Sequence, residues 1–242
     1  MTAELLLLPL GVAAGAVTQR VTGIGFALVS APLLVLVAGP FDGIILANIL
    51  SLVVSLLVFA TTWRHVQWRR GLMLAVPALL AIPFGAFVAR SVPGPLLLLM
   101  VGSLVLIALA LVQLSPRARV LQGRRGAVAA GGASGFMNVT AGVGGPAIVL
   151  YAISTAWEHR RFVATFQFYS VIVNSASLLS KGAPHLPGQS LAISLAALAL
   201  GLGGGELLSR RISAERARQG VMVLAMGGAA ATVVKGLVTL AG

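Results

Sequence analysis

Two polar, glycine-rich breaks interrupt the apolar runs of this chain, Thr22-Gly23-Ile24-Gly25-Phe26 and Ala141-Gly142-Val143-Gly144-Gly145-Pro146. Their first glycines stand 119 positions apart (142 − 23 = 119). In water such breaks would be ordinary turns, because glycine tolerates unusual backbone angles and solvent pairs the freed amides. In hydrocarbon, an exposed irregular backbone leaves each amide unpaired at several kcal/mol. A break at membrane depth therefore has to be buried in protein or line a water-filled cavity, and that requirement constrains this chain more than any other feature.

The breaks do lie in hydrocarbon. Of the 242 residues, 58% are hydrophobic and 9% charged, more apolar surface than a soluble domain of this size can hide. The chain reads as an all-α polytopic membrane protein. Its net charge of +12 would suggest nucleic acid in a soluble protein. Here the basic residues lie in short clusters between apolar runs, where they orient the chain in the bilayer, so no nucleic-acid partner is expected. Cysteine is absent, which removes disulfides and thiolate chemistry. His65, His159 and His185 fall in connecting segments without metal-ligand spacing, so no metal or other cofactor is expected. The apolar run from Leu5 lacks a preceding basic region and is read as part of the mature protein.

Leu5 to Gln19 and Phe26 to Ala38 flank the first break and reach only about 20 Å each at 1.5 Å per residue, short of the roughly 30 Å hydrocarbon core. They read as two half-helices. Gly43–Trp63, Gly71–Ala89 and Pro95–Leu114 follow as spans, with Pro77 and Pro83 set to kink the second. From Ala127 the pattern begins again: a short piece to Val139, the second break, a returning half over Ile148–Ala156, then spans over Phe162–Leu179, Ser190–Leu208 and Gly220–Leu240.

This order predicts two repeats, residues 1–114 and 126–242, joined by a basic cytoplasmic linker at 115–125. If each broken pair enters and leaves on one face, the clusters at Arg64–Arg70, Arg117–Arg125, Arg160–Arg161 and Arg210–Arg218 share a side. Thirteen of the seventeen basic residues then face the cytoplasm, as the positive-inside rule requires. The halves become inverted-topology repeats, each opening with a broken or re-entrant helix pair, an architecture of many secondary transporters. A hydropathy plot would show about eight peaks, because each broken pair blurs into one.

A half-helix that starts at a break points its free amides, and the positive end of its dipole, at whatever lies there. That geometry suits an anion. Gly23, Gly25, Gly142, Gly144 and Gly145 are therefore candidate substrate-binding positions, against the alternative that they only let helices pack closely. Arg20, beside the first break and without an acidic neighbour in sequence, would add charge; alternatively it snorkels to the cytoplasmic surface. Thr18, Gln19, Thr22, Ser30, Asn48, Asn138, Thr140, Tyr151, Gln167, Tyr169 and Asn174 supply neutral hydrogen-bonding groups, for which pairing between helices is the ordinary explanation. Of these Asn48, Asn138 and Thr140 are the substrate-site candidates. Glu206 either couples a proton or pairs with Arg210 one turn on. The apolar spans hold no His, Cys or paired carboxylates of the kind an intramembrane enzyme needs, and a non-transporting scaffold would need neither charge nor glycine breaks at mid-depth.

Thr22-Gly23-Ile24-Gly25-Phe26 followed by Ala31-Pro32-Leu33-Leu34, the stretch Gly135 to Pro146, and Arg64-His65 resemble the TauE/SafE sulfite exporter family. The resemblance runs over essentially the whole chain. It implies an exporter of sulfite or a small organosulfonate in the cell inner membrane; the breaks and repeats themselves point to alternating access on a small anionic substrate, with a proton as candidate coupling ion. The family pattern often carries a third glycine where this chain has Phe26 and Pro146.

Overall fold

A computed structural model describes residues 2–114, 121–182, 184–209 and 214–241. The apolar runs are helices throughout: α1 (Thr2–Thr22), α2 (Phe26–Ala38), α3 (Pro40–Thr62), α4 (Trp68–Ser91), α5 (Gly94–Leu114), α6 (Gly123–Ala141), α7 (Gly145–Ser154), α8 (His159–Lys181), α9 (Gly188–Ser209) and α10 (Ala214–Ala241). A 3-10 turn, Trp63–His65, joins α3 to α4. No strand occurs among the described residues. Six helices among them are long and apolar enough to cross a bilayer, while α2 and α7 are apolar but short. The protein is an all-helical membrane protein.

The limbs of each broken pair are unequal, unlike the two half-helices expected. α1 has 21 residues and α2 has 13; α6 has 19 and α7 has 10. At 1.5 Å per residue the first limbs reach about 30 Å, so only the returning limbs are short. Polar Thr18 to Thr22 stay helical because Thr22 Oγ1 bonds back to the Thr18 carbonyl at 2.8 Å. Each first limb ends at a glycine in the left-handed region, Gly23 (φ 78°) and Gly142 (φ 71°), where a side chain would be strained. The Gly142 amide closes on the Asn138 carbonyl at 3.0 Å. At the other end, Arg124 and Arg125 lie in the first turn of α6 and not in a loop. Pro77 and Pro83 sit inside an unbroken α4. Residues 115–120 of the linker and Arg210 and Arg211 of the last basic cluster lie outside the described residues, as do the side chains of Arg216 and Arg218.

Packing interleaves the two halves. α1 lies on α9, α6 on α4, α5 on α10 and α3 on α8. Without a hydrophobic drive between helices in lipid, close backbone approach holds them together. Gly131 and Gly135 of α6 bring that helix against Leu74 and Ala78; a Cβ at Gly135 would lie 2.4 Å from the Ala78 carbonyl oxygen. Gly201 and Gly205 of α9 do the same against Ala13 and Val17 of α1. α3 and α8 run antiparallel: Phe59 late in α3 meets Phe168 early in α8, with ring centroids 6.0 Å apart, while Asp42 at the start of α3 accepts from the His185 amide beyond the end of α8 at 2.9 Å. The arrangement sets both glycine breaks against the α3–α8 pair: a Cβ at Gly23 would touch Val163 of α8, and one at Gly142 would touch Ala47 of α3.

Candidate functional site

The first break is closed by its own chain. Gln19, on the last turn of α1, turns its Oε1 toward the start of α2, where it accepts from the Gly25 and Phe26 amides at 3.0 and 3.2 Å. Its Nε2 donates to the Gly23 carbonyl at 2.9 Å, and Gln167 Nε2 donates to the same oxygen at 3.0 Å. The amides expected to face an anion here already have an acceptor.

The second break is held differently. Ser134 Oγ donates to the Gly144 carbonyl at 2.7 Å and accepts from the Tyr169 hydroxyl at 2.8 Å. Asn138 Nδ2 donates sideways, to Asn174 Oδ1 at 3.2 Å and Ser177 Oγ at 3.1 Å. Nothing among the described residues accepts from the Gly144 or Gly145 amide, and Pro146 has none to offer.

Between the two breaks lies a cavity of about 60 Å³. Gln19, Gly25 and Phe26 line it from one side, Asn138, Gly144 and Gly145 from the other. The walls are Ser51 and Ser55 of α3 and Gln167, Tyr169, Ser170 and Asn174 of α8. No acidic or basic side chain is among the lining residues. Apolar side chains such as Leu28, Val54, Val149 and Phe166 complete the lining; a neutral chamber with these hydroxyl and amide groups beside a helix amino terminus tolerates negative charge and offers a hard cation no carboxylate.

Of the sequence candidates, Gly25, Asn138, Gly144 and Gly145 thus line the cavity. Gly23 and Gly142 shape the breaks behind it, and Asn48 abuts Gly142, its Oδ1 3.7 Å from where a Cβ would stand. Asn48 is fully buried with neither side-chain polar atom hydrogen-bonded, and Ser51 Oγ is buried in the same state. Thr140 bonds back to the Phe136 carbonyl at 2.6 Å and does not line the cavity. Arg20 does not line it either: its Nε donates to Glu206 Oε2 at 2.6 Å across the α1–α9 contact, both side chains partly exposed. The partner absent from Arg20's sequence neighbourhood is supplied 186 positions away. Lys181, at the end of α8, is buried and donates to the Val139 carbonyl at 3.2 Å, so an amine donor stands behind the second break.

Sequence reasoning passed over Ser51, Ser55 and Ser170, which look unremarkable singly. The 119-residue offset of the breaks would have found them. It pairs Gln19 with Asn138, Asn48 with Gln167, Ser51 with Ser170 (170 − 51 = 119) and Ser55 with Asn174 (174 − 55 = 119). Seven of these eight side chains line the cavity and the eighth, Asn48, lies against Gly142.

A family model described as sulfite exporter TauE/SafE matches residues 7–232. No curated protein and no solved structure matches the chain.

Proposed function

The chain belongs to the sulfite exporter TauE/SafE family, and from that premise we propose that it is a secondary transporter of the inner membrane that exports a small anion, sulfite or a compact organosulfonate, by alternating access. The observation that carries this reading is the single cavity shared by both breaks and lined only by neutral groups. An anion there would meet helix amino termini on one side and hydroxyl and amide donors on the walls. Lys181 lies seven residues beyond Asn174 on α8, about 10 Å along the axis, and would add a hydrogen-bond donor beyond the cavity.

Several features support inverted repeats as the engine. Exchanging the halves exchanges α1 on α9 with α6 on α4 and leaves α3 on α8 and α5 on α10 unchanged. The antiparallel course of α3 and α8 fits such an inversion. The polar positions of the cavity obey the same 119-residue offset as the glycines. Transporters built this way bind at mid-membrane between broken helices and rock one element against another.

The second hairpin is our candidate for the moving element. α2 is tied to α10, where Lys235 Nζ donates to the Leu36 carbonyl at 2.7 Å and Thr232 Oγ1 to the Pro32 carbonyl at 3.4 Å. α7 instead backs onto an apolar void of about 260 Å³ between α5 and α6, lined by Ile107, Leu111, Ala133 and Met137 among others. It has room to shift.

The test is flux of sulfite and of small organosulfonates into vesicles holding the purified protein, with and without an imposed pH gradient. Transport that is lost in Asn138→Ala and depends on the gradient supports both the site and proton coupling. A folded protein that moves no small anion under either condition refutes the proposal.

A further inference from the structure

We infer that the anion occupies the second break alone, as one compact oxyanion held by the Gly144 and Gly145 amides together with Ser51 and Asn48, while Gln19 closes the first break to it. This rests on the transport reading above and names which of two equivalent-looking breaks is the binding site.

The argument is a comparison of equivalent contacts. At the first break Gln19 fills the space before α2 and accepts two amides. Its counterpart at the second break, Asn138, is one methylene shorter and turns to Asn174 and Ser177. At the first break Gln167 donates to the Gly23 carbonyl. Its counterpart Asn48 makes no matching bond, although it is wholly buried and touches the second break. The backbone closure is common to both, Gly23 amide to Gln19 carbonyl and Gly142 amide to Asn138 carbonyl, but each of these side-chain contacts at the first break is missing at the second.

Buried polar atoms without partners are rare and call for a ligand or water. Here the Ser51 hydroxyl lines the cavity beside the Gly144 and Gly145 amides, and the Asn48 amide, equally unpartnered, stands one turn away on α3 behind Gly142. All can donate, and nothing acidic lines the cavity to compete. An oxyanion takes the place of the missing glutamine carbonyl, with more acceptor oxygens than the glutamine offers. Size agrees: a buried water needs roughly 10–15 Å³ of such space, so about 60 Å³ admits a few-atom ion.

The test is calorimetric titration of sodium sulfite into the purified full-length protein in nanodiscs. Ser51→Ala should weaken the Kd about tenfold, the effect of one lost hydrogen bond to a charged group. The same variant should melt no lower than the parent when sulfite is absent, because it deletes an unpaired hydroxyl; a purely structural serine would not separate the two readouts. Asn48→Asp keeps the shape, adds a negative charge, and should weaken sulfite by a hundredfold or more. Should the aspartate variant fail to fold, Ser51→Ala decides alone. Parental sulfite affinity in the folded variants would overturn the inference and leave the transport reading standing. Absence of sulfite binding by the parent protein would overturn both.

Discussion

Replacing Gln19 tests how the first break survives in hydrocarbon. The side chain holds the Gly25 and Phe26 amides and one lone pair of the Gly23 carbonyl. In Gln19→Leu the carbonyl keeps Gln167 as its donor, so two amides are orphaned. Each buried unsatisfied group costs about 1–3 kcal/mol, which gives roughly 2–6 kcal/mol for the pair. On the scale of about 2–4 °C per kcal/mol for a chain of this size, the melting temperature in nanodiscs should fall by about 4 °C or more. Gln19→Glu separates charge from structure. A carboxylate still accepts both amides, and more strongly, but loses the Nε2 bond to the Gly23 carbonyl, which keeps only Gln167 as its donor, so Gln19→Glu should melt above Gln19→Leu without matching the parent. The added negative charge, however, lines the same small cavity as the anion, where like unit charges about 4 Å apart repel by about 4 kcal/mol at an effective dielectric of 20 and proportionately less when farther apart. Sulfite affinity should therefore drop about a hundredfold in a protein that melts above Gln19→Leu. If Gln19→Leu melts with the parent and Gln19→Glu binds sulfite with the parental Kd, the cap and the shared cavity are both misread.

Gly144→Ala should lose flux and about 1–3 kcal/mol of stability, since its Cβ would stand 2.7 Å from Ser134 Oγ and 2.8 Å from the Ser134 carbonyl; Gly145→Ala, whose Cβ meets only Phe166 at 3.6 Å, should fold normally, and thermal melts of the two distinguish local crowding from general intolerance of side chains. Arg20→Ala and Glu206→Ala should change flux alike and less than Asn138→Ala, because Arg20 pairs with Glu206 outside the cavity; a much larger loss in Arg20→Ala would return the arginine to the substrate path. Ala133→Phe, which fills the void behind α7, should slow counterflow of labelled sulfite while leaving its Kd unchanged, and undiminished exchange would argue against movement of α7.

Most of the helical frame was legible from hydrophobic run length, because hydrocarbon leaves the backbone few alternatives. The left-handed glycines were legible as breaks, and their spacing already implied a repeat. The unequal limbs were not. Residues Thr18 to Thr22 read as a polar interruption, yet back-bonding by Thr22 and burial under α9 keep them helical. Arg20 attracted attention as a lone charge because its partner is on another helix, which no local pattern reveals. The serines of α3 and α8 carry no individual signal; the 119-residue offset of the breaks pairs Ser51 with Ser170, and two antiparallel helices make walls of them. Lys181 stands at the end of α8, where a solvated lysine is the ordinary expectation, and is buried against the Val139 carbonyl.

The pairing of α1 with α9 also bears on biosynthesis. α9 opens at Gly188, 166 residues after α1 ends at Thr22 (188 − 22 = 166). At about 5–20 residues per second, the nascent first hairpin spends roughly 8–33 s without the helix that Gly201 and Gly205 bring against it. During that interval the Gln19 cap is the local means of pairing its irregular backbone, and Glu206 has not yet been made to neutralise Arg20. A nascent chain truncated before α9 should therefore expose Arg20 to lipid and be a substrate for membrane quality control, whereas one extended through Ser209 should be protected.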